Sequence, residues 1–148
     1  MEIREITENK KEYLSLLLEA DEQEDMIDRY LDKGRMFVLD DNGVKCECVV
    51  TDEGDGVLEI KNIATASECR GKGYAKALID FIIREFSGRY SVLQVGTGDS
   101  PLTIPFYEKC GFVRSHTVPH FFKVNYDHPI YECGVQLDDM VYLRRPTR

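Results

Sequence analysis

Arg70-Gly71-Lys72-Gly73-Tyr74-Ala75 is the segment whose residue types and spacing point most directly to chemistry. It follows a strand-like run and opens a helix-like one. Two glycines let backbone pass close to a ligand, and the helix start presents unpaired N–H groups and a positive dipole end. Those are the requirements of a phosphate site, although the same residues would also serve as a tight turn that merely starts a helix. Lys76 stands where the dinucleotide fingerprint needs a third glycine or alanine, and the spacing of the nucleoside-triphosphate loop is absent. The five cysteines, Cys46, Cys48, Cys69, Cys110 and Cys133, include no CxxC pair and read as reduced thiols. Cys46 and Cys48 would share one face of a strand. Pro119 breaks any helix that could align His116 with His120, His128 stands apart, and no Ser/His/Asp arrangement is apparent, so no metal is expected.

The elements that must position this segment follow from periodicity. A strand at Glu2 to Ile6 precedes helical spacing from Asn9 to Ala20 and again from Glu22 to Lys33, which Gly34 stops. Strand-like runs at Arg35 to Asp40 and Val44 to Thr51 flank Asp41-Asn42-Gly43, a hairpin signal. Val57 to Ala64 reads as the fourth strand, Tyr74 to Phe86 as an amphipathic helix and Tyr90 to Val95 as the fifth strand. This βαβ unit implies parallel neighbours with the helix on one face. A short helix ending at Cys110, a strand from Phe112 to Val118, an irregular aromatic stretch and a last strand at Met140 to Arg144 complete the chain.

At 148 residues the chain is expected to form one domain spanning 1–148, and 43% hydrophobic with 31% charged residues excludes a disordered tail. No apolar run approaches a membrane span and the N-terminal residues lack a signal-peptide core, so a cytoplasmic protein without membrane contact is expected. The net charge of −8 argues against nucleic acid as a partner. Residues 1–60 carry 7 basic and 18 acidic side chains, whereas residues 61–148 carry 12 basic and 9 acidic. Such a division suits a cationic substrate meeting an anionic cofactor, and equally suits solvated acidic helices.

Ser100 to Phe112 (SPLTIPFYEKCGF) places Tyr107 in a short helix that ends at Gly111 before a strand. Together with the glycine-rich segment it resembles the Gcn5-related N-acetyltransferase (GNAT) family. That family's cofactor motif, Arg or Gln, two residues, Gly, one residue, Gly or Ala, is met by Arg70, Gly73 and Ala75. Its later tyrosine motif is met by Tyr107, Glu108, Lys109, Gly111 and Phe112. A VGTG segment at Val95 to Gly98 and the stretch His120 to Tyr126 with Asp139-Met140 resemble small bacterial members. The resemblance implies an α/β fold with a mixed, largely antiparallel sheet, parallel splayed fourth and fifth strands, and flanking helices. It implies acetyl-CoA as cosubstrate, with its pyrophosphate on Gly71 to Ala75 and its pantetheine arm against the backbone near Ile63 and Ala64. Arg70 would contact the phosphates, and Lys72 would either do so or remain a solvated loop charge. Many members carry Asn where this chain has Ser100, a position that contacts the pantetheine arm.

Amine acetylation needs a neutral nucleophile, so a base must remove a proton from an alkylammonium. Glu59, eleven residues before Arg70, matches by this resemblance the general-base glutamate of the family's histone acetyltransferases; the alternative is a strand carboxylate paired with a cross-strand lysine. Tyr107 is the candidate acid for the departing thiolate, or a core aromatic beside Phe106. An oxyanion donor would be a backbone N–H near Ile63 or Ala64. Phe121, Phe122, Tyr126 and Tyr131 could hold an ammonium by cation–π contact or form a satellite core. The expectation is direct acetyl transfer to a primary amine of a small cationic metabolite. A protein or peptide acceptor, a non-catalytic acyl-CoA sensor and a homodimer remain open.

Overall fold

The computed structural model describes residues 1–148. Asn42 and Gly43 take φ of 58° and 108°, left-handed backbone that closes the three-residue turn Asp41 to Gly43, and the Asp40 carboxylate accepts the Gly43 N–H at 2.9 Å. This turn joins β2 (Arg35–Asp40) to β3 (Val44–Asp52), with β1 (Glu2–Ile6) on the outer side of β2. Between β1 and β2, a 3-10 turn at Lys10–Tyr13 leads into α1 (Leu14–Ala20), followed by α2 (Glu24–Asp28). The periodicity predicts a helix as far as Lys33, but α2 ends five residues earlier and turns follow to Gly34. The Lys10 ammonium there takes the carbonyls of Leu31 (2.8 Å) and Gly34 (2.7 Å), satisfying them without a further helical turn.

β4 (Val57–Thr65), α3 (Tyr74–Phe86) and β5 (Val92–Gly98) form the expected βαβ unit. α4 (Thr103–Lys109) and β6 (Val113–Val118) follow. The aromatic stretch is more regular than its sequence pattern implies, folding into α5 (Phe121–Asn125) and a small hairpin of β7 (Tyr131–Glu132) and β8 (Val135–Gln136). β9 (Met140–Pro146) returns between β5 and β6, giving one seven-stranded sheet ordered β1-β2-β3-β4-β5-β9-β6. Only β4 and β5 run parallel. No helix is long and apolar enough to cross a membrane.

α3 lays Leu78, Ile79, Ile82 and Phe86 on one face of the sheet against Cys46, Cys48, Leu58, Ile60, Leu93 and Val95. Each such fully buried aliphatic contributes about 1.5–3 kcal/mol. α1 and α2 cover the opposite face, where Leu17, Ile27 and Leu31 pack on Met36, Val38 and Val49. A third, small cluster of Phe122, Ile130 and Leu137 lies beneath α5 and the small hairpin.

The sheet opens at its centre. β4 pairs with β5 over Val57 to Ile60 against Val92 to Val95, and pairing then stops. The β3–β4 register steps from Val49↔Asn62 to Val50↔Ile60, leaving Lys61 as the extra residue of a bulge. A bulge bends its strand and increases its twist, which turns the rest of β4 away from β5. On β5, a Cβ at Gly96 would lie 2.9 Å from the Tyr142 ring, and one at Gly98 would lie 2.6 Å from the Leu137 methyls. The VGTG segment is thus small where neighbouring side chains cross the strand.

Candidate active site

The glycine-rich segment forms the bend between β4 and α3. Gly71 and Gly73 have φ of 79° and 84°, and a Cβ at either would meet nothing within 4 Å. Their requirement for glycine is therefore conformational, with the space above them open. Gly73 is the N-cap of α3 and supplies no side-chain cap, so the first-turn N–H groups stay available to an anion. The Tyr74 hydroxyl donates to Asp41 at 2.6 Å and fastens this turn to the β2–β3 hairpin. Ala75 packs half-buried against the core, Lys72 is exposed, and Arg70 is paired with Glu19 at 3.1 Å across an exposed contact.

The gap between β4 and β5, in the same βαβ unit, begins above Ile60 and Val95. The Ala66 N–H donates to the Lys45 carbonyl, so along the β3–β4 register Ala64 and Asn62 exchange bonds with β3 while the N–H groups of Ile63 and Thr65 point away from it, into the gap. Of the two residues singled out by sequence, Ile63 offers the gap its backbone donor and Ala64 offers its small side chain. Tyr107 belongs to the core on the α3 side of the sheet and with Ile104 forms the buried face of α4. Its ring packs edge-on against Phe106 (5.3 Å) and Phe112 (5.7 Å), while its hydroxyl is not among the sealed, unpartnered buried polar atoms. Burial, reinforced by Cys48 and Cys110, pushes this phenol well above its ordinary value, so it keeps its proton.

Glu59 lies in the paired half of β4, opposite Gln94 and below the gap. It is buried, and its oxygens are taken by Lys61 Nζ (2.9 Å) and Gln94 Nε2 (2.6 Å), with Arg144 Nε donating in turn to Gln94 (2.6 Å). The lysine partner comes from the bulge of the same strand rather than from across it. Ser100 is also buried and occupied: its hydroxyl donates to Glu132 (2.8 Å) and accepts the Leu102 N–H (3.0 Å), which holds the turn before α4.

Several polar residues of this region carry no sequence motif. On the α1/α2 face, Asn62 Nδ2 donates to the Leu17 carbonyl (3.1 Å) and the Tyr30 hydroxyl (3.0 Å). Tyr30 and Tyr126 donate to the two oxygens of Asp21 at 3.0 and 2.7 Å. Burial raises the Asp21 pKa against these bonds. Glu47 of β3 is completely buried on the same face with no protein partner for either oxygen, and burial raises its carboxyl well above the carboxylate range. The one available signal was a lone acid between two strand cysteines. His120, Asp138 and Asp139 bring ligand atoms within 4.8 Å of one another, but each is engaged: Asp138 accepts from His120 Nδ1 and lies 3.6 Å from Lys123, and Asp139 accepts the His120 N–H.

Comparison with known proteins adds independent findings. The model of the acetyltransferase (GNAT) domain family matches residues 32–114. The curated Bacillus subtilis protein YvbK, an uncharacterized N-acetyltransferase, is 34% identical over 140 residues, covering 92% of this chain and 90% of its own. A GNAT family acetyltransferase from Elizabethkingia anophelis, solved with acetyl-CoA bound, superposes with a TM-score of 0.92 at 31% identity over 98% of this chain and 97% of its own. An IAA acetyltransferase from Bacillus cereus superposes with a TM-score of 0.90 at 33% identity over 98% of both chains.

Proposed function

Because the chain belongs to the GNAT family of acetyltransferases, we propose that it transfers the acetyl group of acetyl-CoA directly to the amine of a small cationic molecule. The observation that carries this reading is the gap above Ile60 and Val95, in a βαβ unit whose helix starts uncapped behind two open glycines. The relative solved with acetyl-CoA supports the choice of cosubstrate.

In this mechanism the first turn of α3, from Gly71 to Ala75, takes the pyrophosphate of acetyl-CoA, with Arg70 and Lys72 adding charge-assisted contacts. The Ile63 N–H, directed into the gap, binds the pantetheine arm or the oxygen of the thioester, where negative charge develops as the amine attacks. Tyr107 gives its phenolic proton to the departing thiolate. The raised pKa of this buried phenol keeps the donor protonated at neutral pH.

The acceptor approaches from the α1/α2 face. There His128 bridges Glu22 (2.8 Å) and Asp127 (2.6 Å) where the loop after α1 meets the segment after α5, and Tyr126 is tied to Asp21 across that junction. The carboxylates there outnumber the one imidazole, so the junction favours a cation, and the bonds that tie its two segments together favour a small acceptor over a protein surface. The test is thiol release from acetyl-CoA across polyamines, aminoglycosides, amino acids and peptides. Release with small cationic amines supports the reading. Tight acetyl-CoA binding without release for any acceptor would make the chain an acyl-CoA sensor instead.

A further inference from the structure

The geometry points to Glu47, with Asn62 beside it, as the group that receives the ammonium of the acceptor and removes a proton from it, an inference that rests on the acetyl-transfer reading above. Three side-chain atoms are sealed from solvent without a protein partner, and all three are acceptors on this one patch: both carboxylate oxygens of Glu47 and Oδ1 of Asn62. Buried polar groups are overwhelmingly hydrogen-bonded, so a concentration of unpaired acceptors calls for donors from elsewhere. A primary ammonium brings three N–H donors and a positive charge.

Position supports the same assignment. Glu47 stands opposite Ala64, and Asn62 lies two residues before Ala64 on β4, so the two side chains share a face and are diagonal neighbours. Ala64 belongs to the half of β4 that β5 leaves unpaired, so the width of one strand separates Glu47 from the gap. Tyr107 belongs to the core on the α3 side of the sheet, whereas Glu47 shares the face of Val49 with α1 and α2. The proton acceptor and the proton donor therefore lie on opposite faces of the sheet. The titratable groups around Glu47 are Tyr30 after α2, Cys46 and Cys48 of its own strand, and Tyr107 of α4; none is a cation. Glu59 differs on each count, since Lys61 and Gln94 already occupy its oxygens.

The protons balance. Burial keeps Glu47 protonated in the free protein, and it gives that proton to solvent as the ammonium binds. Of the three on the ammonium, one stays on the amide nitrogen, one passes to Glu47 and restores its resting form, and one leaves the tetrahedral intermediate to replace the proton that Tyr107 gives the sulfur. The nitrogen lone pair forms the C–N bond as the C–S bond breaks, and no redox partner is needed.

Glu47→Gln keeps the shape and removes the base. With the best amine of the thiol-release panel, kcat/KM near neutral pH should fall by about 10²-fold and recover as pH approaches the pKa of the amine, with acetyl-CoA affinity unchanged. Glu59→Gln in parallel should lose less than about tenfold. A Glu47→Gln protein within about threefold of an active wild type at every pH overturns the inference while leaving acetyl transfer intact. If the wild type turns over no amine, the acetyl-transfer reading fails, and the Glu47 site is read by binding alone. Calorimetry with butylammonium chloride in two buffers of different ionisation heat should then show a proton released on binding to the wild type, as the cation ionises Glu47. Absence of release refutes the site. The same wild-type measurement decides the matter if Glu47→Gln does not fold.

Discussion

Replacing Tyr107 by Phe separates its chemistry from its packing. The ring is buried, and its contacts with Phe106 and Phe112, at 5.3 and 5.7 Å, survive the substitution. No protein hydrogen bond acts on the hydroxyl, so the fold loses none, and the stability change should stay within about 1 kcal/mol, or about 2–4 °C in Tm. Catalysis loses its donor. Coenzyme A can leave unaided as a thiolate, which places the loss at the lower end for a general acid, about 10²-fold in kcat or about 2.7 kcal/mol. Because burial raises the phenol pKa, the wild-type donor stays protonated between about pH 6 and 9, and the ratio of wild-type to variant kcat should be flat across that window. Thiol release against pH, acetyl-CoA titration calorimetry and thermal melts measure the three quantities. Full activity would show that the thiolate needs no acid. Joint loss of acetyl-CoA affinity and of stability would show that Tyr107 serves the core.

Gly73→Asp places a side chain in open space at φ 84°, costing about 1–2 kcal/mol of backbone strain, and sets a carboxylate in the anion site. Acetyl-CoA affinity should fall more than about tenfold by calorimetry, and unchanged affinity in a folded variant would move the cofactor elsewhere. Arg70→Ala removes an exposed pair with Glu19, so Tm should barely move while acetyl-CoA affinity falls several-fold and loses part of its salt dependence; equal affinity at low and high salt would release Arg70 from the site. Glu47→Gln should stabilise the fold in a pH-dependent way. Below the ordinary value of 4.5 both states of the wild type hold the proton. Above it the unfolded chain ionises while the buried group does not, so stability is lost as pH rises toward the folded pKa, by up to about 1.4 kcal/mol per pH unit. The Tm advantage of the variant should widen as pH rises above about 4.5. A constant difference would show that Glu47 ionises normally.

Much of the fold was legible because its signals are local. The Asn42-Gly43 turn, the apolar face of α3 and the glycines before it each follow from the conformational range or periodicity of a few adjacent residues, and the βαβ handedness then requires β4 and β5 to be parallel. Past the end of α2 the carbonyls of Leu31 and Gly34 are satisfied by Lys10, over twenty residues away, a partner that periodicity does not register. The aromatic stretch resolved into α5 and a hairpin because Phe122, Ile130 and Leu137 bury one another, a contact between segments rather than along one.

The candidate site divides along the same line. Arg70, Gly73 and Tyr107 stand in short motifs whose chemistry depends on a helix start or a helix face, so residue type and spacing were enough to single them out. Nothing in those motifs sets the condition of a carboxylate. Glu59 and Glu47 are both strand glutamates, and only strand pairing puts Glu59 between Lys61 and Gln94 while the bulge at Lys61 opens the sheet beside Ala64 and leaves Glu47 sealed and unpaired. Amino-acid order specified which groups the chain carries and which local shapes they take. The chemistry of a buried acid depends on desolvation and on its partners, both set by segments distant in sequence, and these came into being only when the strands met.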